Sequence, residues 1–375
     1  EAISAFSASN IGNYYISSKF AKSKESEIYK AWAWGNYNYQ SKSKKNLLYV
    51  KEQKELEFLT FYSDCMNFSR DLINSPANKL NPSTYYSKIK NNNLFKSFNF
   101  IDYTEKEINS NFPLTCAVGK SSSSKPKVIE ITNRKLSKKD KPLVIIGKGV
   151  TFDTGGVNIK PGTSMRNMKK DMGGSAIAIS LFLLANYFLK KTKIVLIAPI
   201  AENAISSKSM RPGDVYSSVS GKSVEIAHTD AEGRLLLADA IEKASSYNPC
   251  MIIDFATLTG AARVALGEDL PAYFCNNETF AKKIENLNKE KLRCWRLPLY
   301  SPYLFKIKSQ VADLSNASLD GMAGSITAAL FLQEFLKSPN IPWFHFDTFA
   351  WSQDSKGAAL QGLDIMSDFL RKNFN

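Results

Sequence analysis

The chain has 375 residues, of which 44% are hydrophobic and 22% are charged, the balance of an ordinary globular protein with a well-buried core. No apolar run reaches the ~18 residues needed to cross a bilayer, so we expect no membrane-spanning helix and no membrane partner. The five cysteines are odd in number and never form a Cys-x-x-Cys pair, which argues against a disulfide framework or a structural zinc site and favours a cytoplasmic protein.

The formal net charge of +14 is unevenly distributed. Residues 1–142 hold 23 Lys and Arg against 13 Asp and Glu, so +10 of the excess lies in the first part of the chain. Only 9 of the 49 basic residues are Arg, which nucleic-acid surfaces often use for bidentate base contacts. We therefore interpret the excess as a solvated surface; a basic patch that recruits nucleic acid or another acidic partner stays open as the alternative.

The first 55 residues are rich in Ser, Lys and Tyr, and they are too short and too polar to form a domain with its own core. Apolar residues then recur at helical spacing from Glu55 to Leu72, which predicts an amphipathic helix that ends before Pro76. Asn81 is typical of the residue that caps a further helix.

Beyond this point strand and helix patterns alternate along the chain. Strands are predicted at residues 115–118, 127–131, 143–146, 194–200 and 251–255, and helices at 175–189 and 235–245. This βαβ rhythm predicts an α/β fold, a three-layer α/β/α domain around a mostly parallel or mixed sheet, with a much-reduced region before it. Ligands of such sheets gather where the strands end, and Lys148 and Thr257 each follow a predicted strand.

Charged residues concentrate in two short stretches of the sequence, the first of them rich in glycine. They are Lys148, Asp153, Lys160 and Asp171 in the first stretch, and Asp230, Glu232 and Arg234 in the second. Burying such groups costs several kcal/mol each unless partners or a metal compensate. A divalent cation is the usual neutraliser of clustered carboxylates, so the pattern favours a metal centre.

Asp230, Glu232 and Arg234 alternate, so in an extended segment their side chains would share one face. Two divalent metals bridged by carboxylates, roughly 3.5–4 Å apart, would neutralise the cluster and activate a water. Lys148 could be a ligand only as a neutral amine, with its pKa lowered by several units. Lys160 remains, with Arg234, as a cationic group that could stabilise an oxyanion.

Together these stretches resemble the signature of the cytosolic leucyl aminopeptidase family, whose catalytic domain carries a two-metal exopeptidase site. The similarity covers about residues 56–375 and includes the runs 70–78, 256–261 and 323–329. We therefore expect two regions, a basic N-terminal remnant or linker at 1–55 and a catalytic aminopeptidase domain at 56–375.

The resemblance implies a role for each charged residue. Metal ligands would be Lys148, Asp153, Asp171, Asp230 and Glu232, with Asp153 and Glu232 bridging. Lys160 would polarise the substrate carbonyl, and Arg234 would hold a bicarbonate ion that acts as general base. The pocket for the N-terminal side chain would include Met168, Thr257 and Gly260, although core packing explains Met168 equally well. Family members bind Zn²⁺, with Mn²⁺, Mg²⁺ or Co²⁺ at one exchangeable site, and assemble as hexamers.

Three departures from the family pattern qualify these expectations. His228 stands where the family has Asn, and a packing or positioning role is expected for it rather than metal ligation. A full α/β domain normally precedes the catalytic domain, and only about 55 residues stand there, which puts the hexamer in question. The run 343–351 matches only part of the usual sequence, so the floor of the pocket is not specified.

The predicted function is hydrolysis of N-terminal, mainly apolar residues from peptides by metal-activated water. A pocket without a charged partner predicts Leu and Met ahead of Ala, and all three ahead of Asp, Glu and Lys. The alternative is a nucleic-acid-binding protein that uses the basic N-terminal part, with incidental or no peptidase activity; nucleic acid is not the expected partner.

Overall fold

A nine-stranded mixed sheet lies at the centre of the computed structural model, which describes residues 13–15, 22–39, 47–50, 52–353 and 357–374. The strands are β1 Asn13–Tyr15, β2 Leu47–Tyr49, β3 Asn99–Phe100, β4 Lys127–Thr132, β5 Leu143–Gly147, β6 Gly149–Asp153, β7 Ile194–Asn203, β8 Val215–Ser217, β9 Ser223–Glu225, β10 Met251–Ala256, β11 Ala272–Cys275, β12 Trp295–Arg296, β13 Leu314–Ser315 and β14 Trp343–Asp347.

Helices cover both faces of this sheet. They are α1 Lys22–Gly35, α2 Gln53–Asn74, α3 Pro82–Lys90, α4 Glu105–Asn111, α5 Pro113–Gly119, α6 Gly162–Met165, α7 Gly173–Phe188, α8 Gly233–Ser246, α9 Gly260–Leu266, α10 Glu278–Leu287, α11 Gly324–Gln333 and α12 Leu363–Asn373. Short 3₁₀ helices span Asn93–Phe95, Met168–Met172 and Ser301–Ile307.

The strand order of the central sheet is β12-β11-β14-β10-β5-β7-β4-β3, with β6 also paired to β7. Strands β14, β10, β5 and β7 are parallel to one another. The pairs β11–β14, β4–β7 and β3–β4 are antiparallel, and the edge strand β12 is parallel to β11. Helices α2, α7 and α12 pack together on one face, and α5, α8 and α11 bury a second apolar cluster on the other. The predicted three-layer α/β architecture around a mixed sheet is confirmed.

The parallel centre determines where polar residues meet. Strands that run in the same direction end at the same edge of a sheet, where ligands of α/β folds bind. At this edge Lys148 follows β5, Asn203 ends β7, Thr257 follows β10 and Asp347 ends β14.

Most of the predicted elements are present close to their expected bounds, including the cap of α3. Asn81 accepts a hydrogen bond from the backbone N–H of Thr84, and the Thr84 hydroxyl accepts one from the backbone N–H of Asn81, at 2.9 Å each. This reciprocal pair satisfies donors that a helix start otherwise leaves open.

The strand predicted at residues 115–118 is wrong, because this segment lies in helix α5. Asp239, on α8, accepts hydrogen bonds from the backbone N–H groups of Leu114 (3.4 Å) and Thr115 (2.7 Å). Its carboxylate therefore satisfies two open N–H groups in the first turn of α5 from more than 120 residues away. A short apolar run has no periodicity that distinguishes helix from strand. In this segment the carboxylate of Asp239, distant in sequence, favours the helix.

Helix α1 and the residues just after it pack against α2, whereas the described strands β1 and β2 pair with each other. The guanidinium of Arg70 is 4.0 Å from the ring centre of Trp34 and 3.9 Å from that of Tyr37. The Tyr37 hydroxyl donates a 2.7 Å hydrogen bond to Asp71. These contacts attach α1 to the following domain; the domain boundary after residue 55 stays a prediction.

One helical stretch, Met168–Phe188, is long and apolar enough by composition alone to cross a bilayer. However, 83% of its most apolar segment is buried inside the fold, between the sheet and helices α2 and α12. Burial of this kind is typical of a central core helix, as the sequence predicted for this segment.

Candidate active site

Three carboxylates meet in the interior at the carboxyl edge of the sheet. Asp153 ends β6, Asp171 lies in the Met168–Met172 3₁₀ helix and Glu232 immediately precedes α8. One oxygen of each lies within 4.8 Å of the others, and each residue is at most 3% exposed. Buried carboxylates this close repel one another, so the group requires cations.

Lys148 supplies one of these cations. Its ammonium nitrogen lies 2.8 Å from Asp171 Oδ2 and 3.0 Å from Glu232 Oε1, and it donates a 2.8 Å hydrogen bond to the carbonyl of Thr257. Burial lowers the pKa of Lys148, but the carboxylates of Asp171 and Glu232 outweigh it and raise the pKa above its ordinary value. In this state Lys148 is an ammonium ion that holds two carboxylates apart.

Lys160 bridges the two stretches of charged sequence. Its ammonium lies 2.8 Å from Asp153 Oδ2 and also pairs with Asp230. Asp230 is more open than the others, with 27% of its side chain exposed, and it lies outside the three-carboxylate group. The structure thus brings all the charged residues predicted from the two stretches to one site, with Asp230 at its rim.

The carboxylates outnumber the cations that contact them. Burial and the neighbouring Asp153 carboxylate raise the pKa of Asp230 to about 7, against the opposing effect of Lys160. Burial and Asp153 also raise the pKa of Glu232. Glu232 Oε2 is buried and has no hydrogen-bond partner within the described chain. Crowded anions with an unpartnered oxygen are what a bound divalent cation would relieve, so the residues present fit a metal centre.

Arg234, the second residue of α8, is 7% exposed and its guanidinium is incompletely satisfied. Neither Nε nor Nη1 has a hydrogen-bond partner among the residues that the structure describes. Burial lowers its pKa to about 10, although Glu232 and Asp347 act in the opposite direction. A planar guanidinium with two free donors fits a planar oxyanion, such as a carboxylate or bicarbonate.

Glycine at position 233 is required by the approach of Lys148. A Cβ atom built at Gly233 would lie 2.4 Å from Lys148 Cε and 2.7 Å from its Nζ, closer than side chains pack. The glycine between Glu232 and Arg234 therefore lets the ammonium reach its carboxylates.

Two polar residues hold the charged groups in place: Asn203, which sequence reasoning missed, and Thr257, which it had placed in the side-chain pocket. The Asn203 amide donates a 2.8 Å hydrogen bond to Asp153 Oδ1 and a 3.1 Å bond to the carbonyl of Thr229. The Thr257 hydroxyl donates a 2.8 Å bond to Asp171 Oδ1. Asn203 ends a strand at the ligand-binding edge of the sheet, and that position was the available signal for finding it.

The expectation that Asp230, Glu232 and Arg234 share one face of an extended segment is wrong. Asp230 lies in a turn, and Arg234 is already within helix α8. Asn316 maintains the turn: its amide oxygen accepts from the N–H groups of Ala227 (2.8 Å) and His228 (3.1 Å). Its amide nitrogen donates to the carbonyl of His228 at 2.9 Å. Nothing in the local sequence indicates a partner almost 90 residues away.

His228 lies beside the site, exposed at the surface, and its ring contacts the backbone. Its Nδ1 accepts a 3.2 Å hydrogen bond from the backbone N–H of Asp230. Burial lowers its pKa, and the nearby Lys160 and Arg234 add to this effect. The neutral ring thus supports the turn that carries Asp230, in line with the positioning role expected for it.

The residues predicted to form a side-chain pocket line one cavity of about 570 Å³ next to the carboxylates. Met168, Thr257 and Gly260 all face it, and Lys160, Asp171 and Asp230 line it as well. A smaller cavity of about 260 Å³ adjoins it around Lys148, Asp153 and Arg234. A peptide end held in the larger cavity would therefore reach the charged group.

Comparison with known proteins agrees with this geometry. Residues 67–366 match the model of the cytosol aminopeptidase family, catalytic domain. A probable cytosol aminopeptidase of Syntrophotalea carbinolica is 38% identical over 295 residues, which are 78% of this chain and 59% of that protein. The cytosol aminopeptidase of Encephalitozoon cuniculi is 40% identical over 291 residues, 76% of this chain and 59% of that protein. The chain thus spans about three fifths of the length of these curated relatives.

Two solved structures share the fold. A cytosol aminopeptidase from Coxiella burnetii superposes with a TM-score of 0.90 at 36% identity, covering 100% of this chain and 84% of that one. The bottromycin maturation enzyme BotP, in complex with Mn, superposes with a TM-score of 0.83 at 28% identity, covering 93% and 79%. Since the family model matches most of its length, the chain belongs to the cytosol aminopeptidase family.

Proposed function

We propose that this protein is a metal-dependent aminopeptidase that hydrolyses N-terminal, mainly apolar residues such as Leu and Met from peptides. The observation that carries the proposal is the buried group of Asp153, Asp171 and Glu232 around Lys148, which opens onto the 570 Å³ cavity. Buried carboxylates that outnumber the neighbouring cations do not stabilise a fold, because burying an unpaired charge is costly.

The residues that would hold two divalent metal ions are Lys148, Asp153, Asp171, Asp230 and Glu232. Lys148, an ammonium ion beside Asp171 and Glu232, would become a ligand by releasing its proton when metal binds. Zn²⁺ is the proposed metal, with Mn²⁺, Mg²⁺ or Co²⁺ at one site. The unpartnered Glu232 oxygen and the raised pKa values of Asp230 and Glu232 support the binding of a cation by these residues. The Mn-bound BotP structure supports a metal centre in this fold.

When bound, divalent metal would supply a water of lowered pKa and polarise the carbonyl under attack. The chain's own residues would orient the reactants around it. Lys160, which lines the cavity, would donate to the developing oxyanion of the substrate carbonyl. Arg234 would bind a bicarbonate ion through its free Nε and Nη1 donors and so place a base beside the site.

The proposed apolar preference rests on Met168, Thr257 and Gly260. Met168 is flexible and can adapt to unbranched or γ-branched side chains. Gly260 leaves open space, because a Cβ atom built there would meet no heavy atom within 4 Å. Each methylene buried in the cavity would contribute about 0.8 kcal/mol, which places Leu and Met ahead of Ala.

We further propose that the protein is cytoplasmic and forms a homo-oligomer, a hexamer by analogy with its family. Large apolar side chains are exposed on neighbouring elements, among them Val264 on α9, Phe305 in the Ser301–Ile307 helix and Leu319 before α11. Helix α11 packs against α9 and against the Ser301–Ile307 helix. An apolar surface of this kind supports association with further copies of the chain.

The decisive experiment measures hydrolysis of leucine amide at mildly alkaline pH, with metal content determined in parallel. We expect turnover that is lost on exhaustive chelation and restored by Zn²⁺ or Mn²⁺. Asp230→Ala and Glu232→Ala should abolish metal binding, because each strands the remaining buried charges. Lys160→Ala is the control: it should lower turnover while metal stays bound. Full activity after complete metal removal would contradict the mechanism, and loss of metal in Lys160→Ala would contradict the role of Lys160.

A further inference from the structure

The cavity contains two cations that the proposed chemistry does not use. Lys170 is 4% exposed and lines the cavity, and its ammonium lies 4.3 Å from the ring centre of Phe349. Arg263, on α9, lines the same cavity, and its guanidinium lies 4.8 Å from the centre of that ring. Two like charges thus lie near one aromatic ring, an arrangement that an anion bound between them would stabilise.

Neither cation has a carboxylate partner. Across the described residues, no ion pair and no hydrogen bond involves the side chain of Lys170 or of Arg263. For a lysine as buried as Lys170 this is unusual, because buried charges are normally paired. The ring of Phe349 compensates only in part, since a cation–π contact contributes less than an ion pair of good geometry.

The acidic residues that line the cavity are engaged elsewhere. Asp171 pairs with Lys148, and Asp230 pairs with Lys160. Asp347 accepts hydrogen bonds from the N–H groups of Leu258 and Thr259 and from two hydroxyls. Glu268 accepts one bond from Gln353. With those pairs assigned, Asp347 and Glu268 remain in the cavity wall with Lys170 and Arg263, but neither carboxylate forms an ion pair with these two cations among the described residues. Both cations are therefore available to an anionic group of a ligand.

We propose that Lys170 and Arg263 form an anion-binding subsite that admits a substrate with an N-terminal glutamate, whose side-chain carboxylate pairs with them. This rests on the proposed aminopeptidase function and extends it to a second class of substrate. Both cations belong to elements that carry the proposed side-chain pocket. Lys170 shares a 3₁₀ helix with Met168, and Arg263 lies one helical turn beyond Gly260. A side chain bound in this pocket would therefore be within the same cavity as both cations.

The subsite distinguishes substrates with an acidic N-terminal side chain from those with a basic one. Sequence alone placed Asp, Glu and Lys together as disfavoured, because no charged partner was expected in the pocket. A glutamate side chain gains charge-assisted hydrogen bonds from Lys170 and Arg263, whereas a lysine side chain meets like charge. Leu and Met remain substrates, because the aromatic ring and the methylene groups of both cations still provide apolar contact.

The test compares kcat/KM at pH 7 for the α-amides of Glu, Gln, Leu and Lys. Glutamine is the matched neutral control for glutamate, so the Glu-to-Gln ratio isolates the charge. We expect a ratio above one in the native enzyme and a fall of about tenfold or more in Lys170→Met and in Arg263→Gln. Leucine amide turnover is measured alongside, and the Glu-to-Gln ratio is compared within each variant, so a general loss of activity affects both amides and leaves the ratio unchanged.

Lys169→Met is the matched control variant. Lys169 is the adjacent lysine, but it is not among the described residues that line the cavity, and its ammonium donates to the carbonyl of Asn74. Its removal deletes the same charge and should leave the Glu-to-Gln ratio unchanged. Lys170→Met replaces a buried unpaired charge with an apolar side chain of similar length, so we expect it to fold. The exposed Arg263 supplies an independent variant.

Three results would overturn the proposal. A Glu-to-Gln ratio that Lys170→Met leaves unchanged removes the subsite. Preference for the lysine amide would show that the carboxylate of Glu268, and not the two cations, determines which charged side chain the pocket binds. If Lys170→Met lowers turnover of the dipeptide Leu-Gly but not the Glu-to-Gln ratio, the bound anion is the peptide's C-terminal carboxylate. If the enzyme does not turn over leucine amide, the aminopeptidase proposal fails, but the subsite proposal can still be tested. The affinities of the Glu and Gln α-amides, measured by calorimetry, then replace the ratio of their kcat/KM values.

Discussion

At the scale of single residues, the site depends on close approach as much as on charge. Lys148 reaches two carboxylates only because residue 233 has no side chain. Asp153 and Asp171 are each held by a neighbouring polar group, Asn203 and Thr257 respectively. Charged groups fixed in this way are pre-organised, and a displacement of about 1 Å can lower an enzyme's rate by roughly 100-fold.

The substitution Gly233→Ala tests this dependence. Its methyl group would collide with Lys148 Cε, so Lys148 or helix α8 must shift. We expect roughly a 100-fold loss of leucine amide turnover and a stability loss of about 1–3 kcal/mol from overpacking. Gly162→Ala is the control, because a Cβ atom there meets nothing within 4 Å. Turnover of Gly233→Ala within a factor of about two of the native enzyme would show that Lys148 position is not critical.

At the scale of secondary-structure elements, strands β10 and β14 are joined by a buried polar contact as well as by their backbone ladder. Asp254 and His345 are register partners, and His345 Nδ1 lies 2.5 Å from Asp254 Oδ1. The indole N–H of Trp343 donates a 2.6 Å hydrogen bond to the other oxygen of Asp254. All three side chains are fully buried. His345, one of the two histidines of the sequence, therefore belongs to the core of the sheet.

This contact predicts a pH-dependent stability. Burial lowers the pKa of His345, but the Asp254 carboxylate outweighs it and raises the pKa above 6.5. A histidine whose pKa is raised by folding stabilises the protein below its unfolded pKa, and this contribution is lost as pH rises through the folded pKa.

The variant His345→Gln removes the titration while an amide donor remains for Asp254. We expect the difference in unfolding free energy between native protein and variant, measured with urea, to be larger at pH 6 than at pH 9. His228→Gln, the substitution of the only other histidine, should not reproduce this decline. A difference that is constant with pH would show that His345 is neutral in the fold throughout.

At the scale of the whole molecule, the net charge of +14 could indicate a nucleic-acid partner. Some of the basic groups in the first part of the chain are engaged within the fold: Arg70 is enclosed by Trp34 and Tyr37, and Lys90 pairs with Asp102. We expect only weak, salt-sensitive binding to DNA in gel shifts, lost near physiological ionic strength, with leucine amide turnover unaffected by added DNA. Tight binding that persists at about 0.2 M salt, without turnover, would favour the alternative function.

The sequence by itself determined which residues could form the site and the class of fold around them. The βαβ rhythm predicted the parallel centre, and strand ends predicted where Lys148 and Thr257 would meet. Local pattern is sufficient for this, because periodicity reports which face of an element is buried. Glycine-rich stretches with clustered charge likewise indicated a metal centre before any distance was known.

Only the tertiary structure decided the contacts between distant parts of the chain. Asp239 accepts hydrogen bonds from the first turn of α5, where the sequence had predicted a strand, and Asn316 stabilises the turn before α8. Lys170 and Arg263 became a charged pocket wall only when α9 and the 3₁₀ helix of Met168 met around Phe349. Each effect joins residues that are tens to more than a hundred positions apart. No local periodicity encodes such pairs, because they arise from how the elements pack.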